Sequence, residues 1–319
     1  MKGLTFRSGR LQIAELEAPK LATEAVVRVL ISGICSTDIQ ITKGYSGFEG
    51  VLGHEFVGIV EYSPDNPQIA GKRVVGEINV GCENCVFCRS GDPRHCPDRT
   101  VLGIKGRNGS HSEYLTLPTR NLFLVPENVS DEEAVFVEPL AAALGIAERI
   151  ELKNAGRIAV IGDGKLGLLC SVAIKSLGAD VSLFGRHRTK LEIAGKSGVE
   201  TYLVSESPIP KREYDTVVEA TGSVAGFEMA MDLVCPKGTI VLKSTYAGKA
   251  PIEAWRIVVD EISVVGSRCG RFGPALEWLN RRPVNLSALI SEEFPLAEGV
   301  QAVEMAQKNG ILKVLLRNN

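Results

Sequence analysis

No stretch of the chain approaches the ~18 consecutive apolar residues that a membrane-crossing helix needs. Its first residues, Met1-Lys2-Gly3-Leu4, run straight into strand-like sequence without the charged and apolar zones of a secretory leader. The sequence therefore predicts a cytoplasmic protein with no membrane partner. Neither sign of charge is in excess: 36 Lys and Arg stand against 38 Asp and Glu, a formal net charge of −2. That balance removes the electrostatic case for nucleic acid or an anionic membrane surface as partner. There is no internal repeat and no low-complexity segment. What remains is an ordinary globular composition, 45% hydrophobic over 319 residues, long enough for two domains with a large core. The eight cysteines, in a reducing compartment, read as metal ligands or core residues rather than disulfides.

The most ordered stretch is Ile158 to Arg188. A short apolar run, Ile158 to Ile161, meets Gly162-Asp163-Gly164-Lys165-Leu166-Gly167. Leu168, Leu169, Val172, Ala173 and Leu177 then recur at helical spacing until Gly178, and Val181 to Phe184 reads as a second strand. This is G-x-G-x-x-G in the strand–turn–helix context that gives it meaning. The first glycine permits the sharp turn, the second lets backbone approach a pyrophosphate, and the third lets helix pack on strand, with the phosphates at the helix N-terminus. Gly162, Gly164, Lys165, Leu166 and Gly167 are thus candidate cofactor-binding residues. Four further candidate strands, Thr201 to Val204, Thr216 to Ala220, Thr239 to Lys243 and Ile262 to Val265, alternate with helical patterns. Six such strands predict a doubly wound parallel sheet.

The flanks are different. Up to about Tyr62 the pattern is strand-rich, and Ala25 to Ile31 delivers the chain into Gly33-Ile34-Cys35-Ser36-Thr37-Asp38. Gly53-His54-Glu55-Phe56 follows, with His54 nineteen residues after Cys35. Cysteine and histidine suit a borderline-soft metal such as zinc, and a catalytic zinc needs only three protein ligands. Each residue alone is equally at home in a core. The segment of about 81–98 is more specific: Cys82, Cys85, Cys88 and Cys96 have the spacing C-x2-C-x2-C-x7-C in a turn-rich context, which a closed tetrahedral thiolate site requires. An iron–sulfur site would end C-x3-C-P, and a nucleic-acid zinc ribbon would bring a basic surface. His95 and His111 read as a loop residue and a structural residue. Ser130 to Glu133 is a capped helix start, and Glu138 lies in an otherwise apolar run, where a carboxylate is costly to bury without a metal or a donor. The closing section, Ser267 to Asn319, reads as short strands with one amphipathic helix, ending in an apolar strand from Ile311 to Leu316.

These motifs in this order, GICSTD, GHEFVG, the four-cysteine segment, VEPLA, GDGKLG, VVEATGS and GILKVLL, make the chain resemble the zinc-dependent medium-chain dehydrogenases, the alcohol and polyol dehydrogenase family. The resemblance covers essentially the whole chain. It implies an α/β protein: a GroES-like β-rich catalytic domain from residues 1–139 and 267–319, and an inserted Rossmann domain at 140–266. It implies two zinc ions per chain, one structural at the four cysteines and one catalytic at Cys35 and His54, with Glu55 as ligand or neighbour. Glu138 takes the place of the third ligand cysteine of alcohol dehydrogenases, as in polyol and sugar dehydrogenases. Thr37 would relay the substrate proton, Asp38 would orient His54, and Lys313 would meet the cofactor pyrophosphate. Thr221, in VVEATGS, joins the cofactor set. The chain is short for the family, with trimmed connections near Ser63 to Gly71 and around Lys243 to Pro251.

Position 185 bears on the cofactor. An NAD-preferring Rossmann unit carries an acidic residue at the end of the second strand, and a nearby Arg accommodates a 2′-phosphate instead. Here Gly185 stands in that place, followed by Arg186, His187 and Arg188 as donors, so NADP(H) is expected. The expected function is hydride transfer between NADP(H) and an alcohol, polyol or sugar hydroxyl, or the matching carbonyl, in a homo-oligomer, dimer or tetramer. The alternative is a catalytically silent zinc- and NADP-binding member of the same fold.

Overall fold

In a computed structural model of the chain, the described residues are 1–20, 23–245, 252–281 and 284–318. The shortened connection around Lys243 to Pro251 lies mostly outside them. The chain divides into two compact units, Met1–Glu138 with Phe272–Asn319, and Pro139–Arg271.

The first unit is built on the nine-residue strand Ala25–Gly33, whose β-branched run is buried along its length. One edge of it pairs antiparallel with Glu55–Tyr62. Its other edge is shared by Tyr114–Leu117 and by the closing strand Lys313–Arg317. The closing strand therefore joins the sheet begun by Ala25–Gly33, with Gly33 opposite Glu55 on one side and Leu315 on the other, while Lys2–Arg7 and Arg10–Glu15 pair in a separate small sheet with Gly50–Val51. The sheet continues outward through Arg73–Gly76 to Leu122–Leu124, and through Ile290–Pro295 beyond the closing strand. Val27, Val29, Phe56, Val60, Val74, Leu115 and Leu117 form a core against it. The closing section holds a second helix that the sequence pattern did not reveal, Phe272–Arg281, in addition to Gly299–Met305. Gly273-Pro274 reads as a break, yet proline in the first turn of a helix loses no intrahelical bond. Phe272, Ala275, Leu276 and Leu279 then supply a buried face.

The second unit is a six-stranded, wholly parallel sheet. The spatial order is Glu200–Leu203, Asp180–Gly185, Arg157–Ile161, Tyr214–Glu219, Val234–Leu242 and Ser263–Gly266. That is the 3-2-1-4-5-6 order of a dinucleotide-binding fold, whose ligand site lies beyond the carboxyl ends of the strands where the order reverses. The first strand and its turn stand at that reversal. A GroES-like β-rich unit and a Rossmann unit are the two halves of the fold.

Candidate active site and cofactor turn

Where the strand Ala25–Gly33 ends, Cys35 becomes the N-cap of the helix Ser36–Thr42. Its sulfur accepts from the Thr37 N–H at 3.5 Å, and Asp38 accepts from the Cys35 N–H at 2.8 Å, a reciprocal capping box. The cap fixes the direction of the thiol. Asp38 is fully buried and also accepts from the Gly53 N–H at 3.2 Å. Its carboxylate stands 3.3 Å from His54 Nδ1, an ion-pair distance, and that nitrogen is itself buried without a hydrogen bond. Burial opposes ionisation of Asp38, but the charge of His54 and the neighbouring His111 hold its carboxyl well below the usual range. Against the same burial, Asp38 and Cys35 hold His54 well above its ordinary value.

The ligand atoms of Cys35, His54 and Glu55 lie within 4.8 Å of one another. Glu55 is buried, and its two oxygens differ: Oε2 is bonded to the Lys313 ammonium, whereas Oε1 is buried without a hydrogen-bond partner. A thiol, an imidazole and an orphaned carboxylate oxygen make a donor set that fits zinc. Glu138 is outside this triplet. Desolvation pushes its carboxyl up to about 7; His54 and Lys313 oppose the rise, and Glu55 and Glu77 reinforce it.

Lys313 is not placed as expected. Its side chain is fully buried and its ammonium ends on Glu55, so it has no free charge for a pyrophosphate. The physical cause is register: the closing strand lies beside Ala25–Gly33, which lies beside Glu55. His111, which carried no signal from spacing, belongs to the site. Its Nδ1 is 2.8 Å from Ser32 Oγ and its Nε2 is 3.5 Å from Asp38, so Asp38 lies between two imidazoles. Only the long-range fold brings Ser32 and His111 together.

The sulfurs of Cys82, Cys85, Cys88 and Cys96 also converge within 4.8 Å. The backbone N–H groups of Asn84 and Cys85 draw the Cys82 thiol down to about 7. Desolvation and the adjoining Cys85 push Cys88 up to about 12. Four sulfurs converging in this way fit a closed metal site, in which a cation would compensate the thiolate charge. His95 is more than half exposed, at 3.8 Å from Asp92.

In the second unit, Gly162 has φ +113° and Gly164 caps the twelve-residue helix Lys165–Ser176. A Cβ on Gly167 would lie 1.8 Å from the Gly162 carbonyl oxygen, while one on Gly164 would meet nothing within 4 Å. The third glycine is required by helix–strand packing; the second faces open space. Lys165 and Leu166 are half-buried at the first turn of the helix. Thr221 is held by the buried Glu219, whose Oε1 accepts from the Thr221 N–H and hydroxyl and from the Gly222 N–H at 3.2 Å. The three donors after Gly185 are unequal. Arg188 pairs with Glu206 at 2.5 Å, His187 leans on Asp163 at 3.0 Å, and Arg186 is exposed. Asp163 and Glu219, the two carboxylates that shape these turns, are not singled out by the motifs that contain them.

Residues 21–127 match the alcohol dehydrogenase GroES-like domain family and residues 166–281 the zinc-binding dehydrogenase family. The glucose 1-dehydrogenase of Methanocella arvoryzae is 32% identical over 76% of this chain and 75% of its own. The sorbitol dehydrogenase of Halalkalibacterium halodurans is 29% identical over 97% and 96%. Among solved structures, one from Sinorhizobium meliloti 1021, described as a candidate zinc-binding dehydrogenase bound to NADP, superposes with a TM-score of 0.90 at 25% identity, covering 99% of this chain and 98% of that one. A structure described as the short chain alcohol dehydrogenase RspB of Escherichia coli CFT073, complexed with NADH, gives 0.90 at 26% identity, covering 99% of each. The fold and the site together define an oxidoreductase with a nicotinamide-binding Rossmann unit. The chain belongs to the zinc-dependent medium-chain dehydrogenase family.

Proposed function

We propose that the protein transfers a hydride between NADP(H) and a hydroxyl-bearing carbon of an alcohol, polyol or sugar, or the matching carbonyl, at a zinc site made by Cys35, His54 and Glu55. The observation that carries this reading is the convergence of ligand atoms of those three side chains within 4.8 Å, with one Glu55 oxygen buried and unpartnered. When bound, zinc supplies a Lewis acid for the substrate oxygen and the nicotinamide supplies the hydride acceptor. The chain's own groups do the rest. Thr37, half-buried with its hydroxyl 3.7 Å from Cys35 Sγ, takes the hydroxyl proton and passes it outward beside the exposed Ser36. Asp38, 3.3 Å from His54 Nδ1, holds the imidazole toward the site by its charge, and Lys313 neutralises one oxygen of Glu55 while leaving the other for the site. Glu138, whose carboxyl is pushed up by burial, is the alternative third ligand beside Glu55. The relatives named for glucose and sorbitol support a polyhydroxylated substrate.

The absence of an acid at 185 and the exposure of Arg186 support NADP(H) over NAD(H). The four-cysteine segment holds a second zinc that staples its loop without an open coordination position. A turnover screen of alcohols, polyols, sugars and aldehydes with both cofactors, on protein of measured zinc content, tests the reading. Turnover of at least one polyol or sugar with NADP is expected. Fully zinc-loaded protein that binds NADPH and turns over nothing would show a silent member of the fold instead.

A further inference from the structure

Between the glycine turn and the basic turn lies a contact that neither motif announces. Asp163, between the first two glycines, is only 7% exposed, and its Oδ2 accepts from the Arg186 N–H at 2.7 Å and the His187 N–H at 2.6 Å. The ring Nδ1 of His187 stands 3.0 Å from the same oxygen and 3.2 Å from Oδ1. One carboxylate thus fastens the end of the second strand to the glycine turn. Gly185 lies directly against it: a Cβ there would come within 2.7 Å of Asp163 Cβ, 2.7 Å of its Oδ2 and 2.8 Å of Leu191 Cδ2. Leu191 can yield as the flexible end of a side chain. Asp163 cannot, because both backbone N–H groups hold it.

We propose that Asp163 and Gly185 form a coupled pair that sets the cofactor preference of the turn. The Asp163 carboxylate occupies the space an acidic side chain at 185 would need, so position 185 cannot present a ribose-reading carboxylate. The same contact fixes the backbone that carries Arg186, leaving its exposed guanidinium to meet a 2′-phosphate. Asp163 is a positioning residue here; its charge is spent on N–H groups of the turn and does not face solvent. The inference deepens the NADP(H) reading above and rests on it.

The test uses the full-length, zinc-loaded protein and dissociation constants for NADPH and NADH, measured by nucleotide fluorescence, in wild type, Gly185→Asp, Asp163→Gly, Asp163→Asn and the Gly185→Asp/Asp163→Gly pair. Wild type is expected to bind NADPH at least about tenfold more tightly than NADH. Gly185→Asp alone should weaken NADPH and gain nothing for NADH. The double variant should bind NADH about tenfold more tightly than Gly185→Asp does, the scale of one charged hydrogen bond. Asp163→Asn, which keeps an acceptor oxygen in place, should retain the wild-type NADPH to NADH ratio within about threefold. If Gly185→Asp is too unstable to titrate, the double variant should recover the melting temperature it loses. The pairing is overturned if Gly185→Asp gains as much NADH affinity as the double variant, if the double variant melts no higher than the single, or if Asp163→Gly weakens NADH more than NADPH, which would make Asp163 itself the ribose acceptor. A wild type that binds both cofactors equally overturns the NADP(H) reading instead, and the NADH columns of the single and double variants still judge the pairing.

Discussion

At the scale of single residues the site is held by buried charges, of which the Lys313–Glu55 pair is directly bonded. Lys313 and Glu55 are both fully buried and bonded to each other, a pair that is costly to break from one side because the remaining charge has no water. Lys313→Met should therefore destabilise the fold by about 3–5 kcal/mol in equilibrium denaturation, and adding Glu55→Gln should restore part of the loss. Cys35→Ser changes the cluster without breaking that pair. It is expected to lower zinc content by one ion per chain and remove most turnover, while the circular dichroism spectrum and the zinc at Cys82, Cys85, Cys88 and Cys96 persist. Retained activity in that variant would show that Cys35 is no ligand. For the cofactor, the unequal environments of the two arginines separate their effects. Both are exposed, and Arg188 is in addition paired with Glu206. Arg186→Ala should reduce the preference for NADPH by about ten- to a hundredfold, with a smaller effect from Arg188→Ala; equal effects would contradict the assignment.

At the scale of elements, much was legible where local pattern and local structure coincide. The apolar runs of the Rossmann strands, the helix from Lys165 and the cap at Ser130 with Glu133 are dictated within a few residues of themselves. The helix Phe272–Arg281 was not, because Gly273-Pro274 carries opposite meanings in a loop and in a first helical turn. Connections between elements were silent too. Glu24 precedes the central strand, and Arg107 holds it through two bonds of 2.6 and 2.8 Å from the far side of the four-cysteine segment. Burial raises the Glu24 carboxyl, but the hydrogen bonds and charge of Arg107 outweigh it and hold the group below its ordinary value. A depressed folded-state value means that this contribution is complete above the unfolded pKa of about 4.3 and fades as pH falls through the folded value. Glu24→Gln should lower stability by about 1 kcal/mol at pH 7, less below pH 4, since the pair is partly solvated. Melting temperatures of the two proteins that stay equally far apart down to pH 3 would contradict it.

At the scale of the whole molecule, an early strand, Ala25–Gly33, and the closing strand, Lys313–Arg317, share one sheet, and that sheet is what assembles the site. Cys35 leaves the end of the strand Ala25–Gly33, Glu55 begins the neighbouring strand, and Lys313 begins the closing strand on the other side. Lys313 and Glu55 are 258 residues apart in sequence. No local pattern encodes such a pairing, and so the residues themselves gave Cys35 and His54 only as candidates. Family resemblance supplied the roles; the sheet then brings Glu55 to Cys35 and His54 and ends the Lys313 ammonium on Glu55. His111 and Ser32 entered the same way, by sheet geometry.

The central claim is that one chain holds two zinc ions of different kinds. Anomalous diffraction at the zinc edge from crystals of wild type and Cys35→Ser, in the same form, tests it most directly. Two peaks are expected in wild type, one among Cys82, Cys85, Cys88 and Cys96 and one among Cys35, His54 and Glu55, with only the first surviving in the variant. A wild-type map with no peak at the second position, from protein that turns over its substrate, would contradict it.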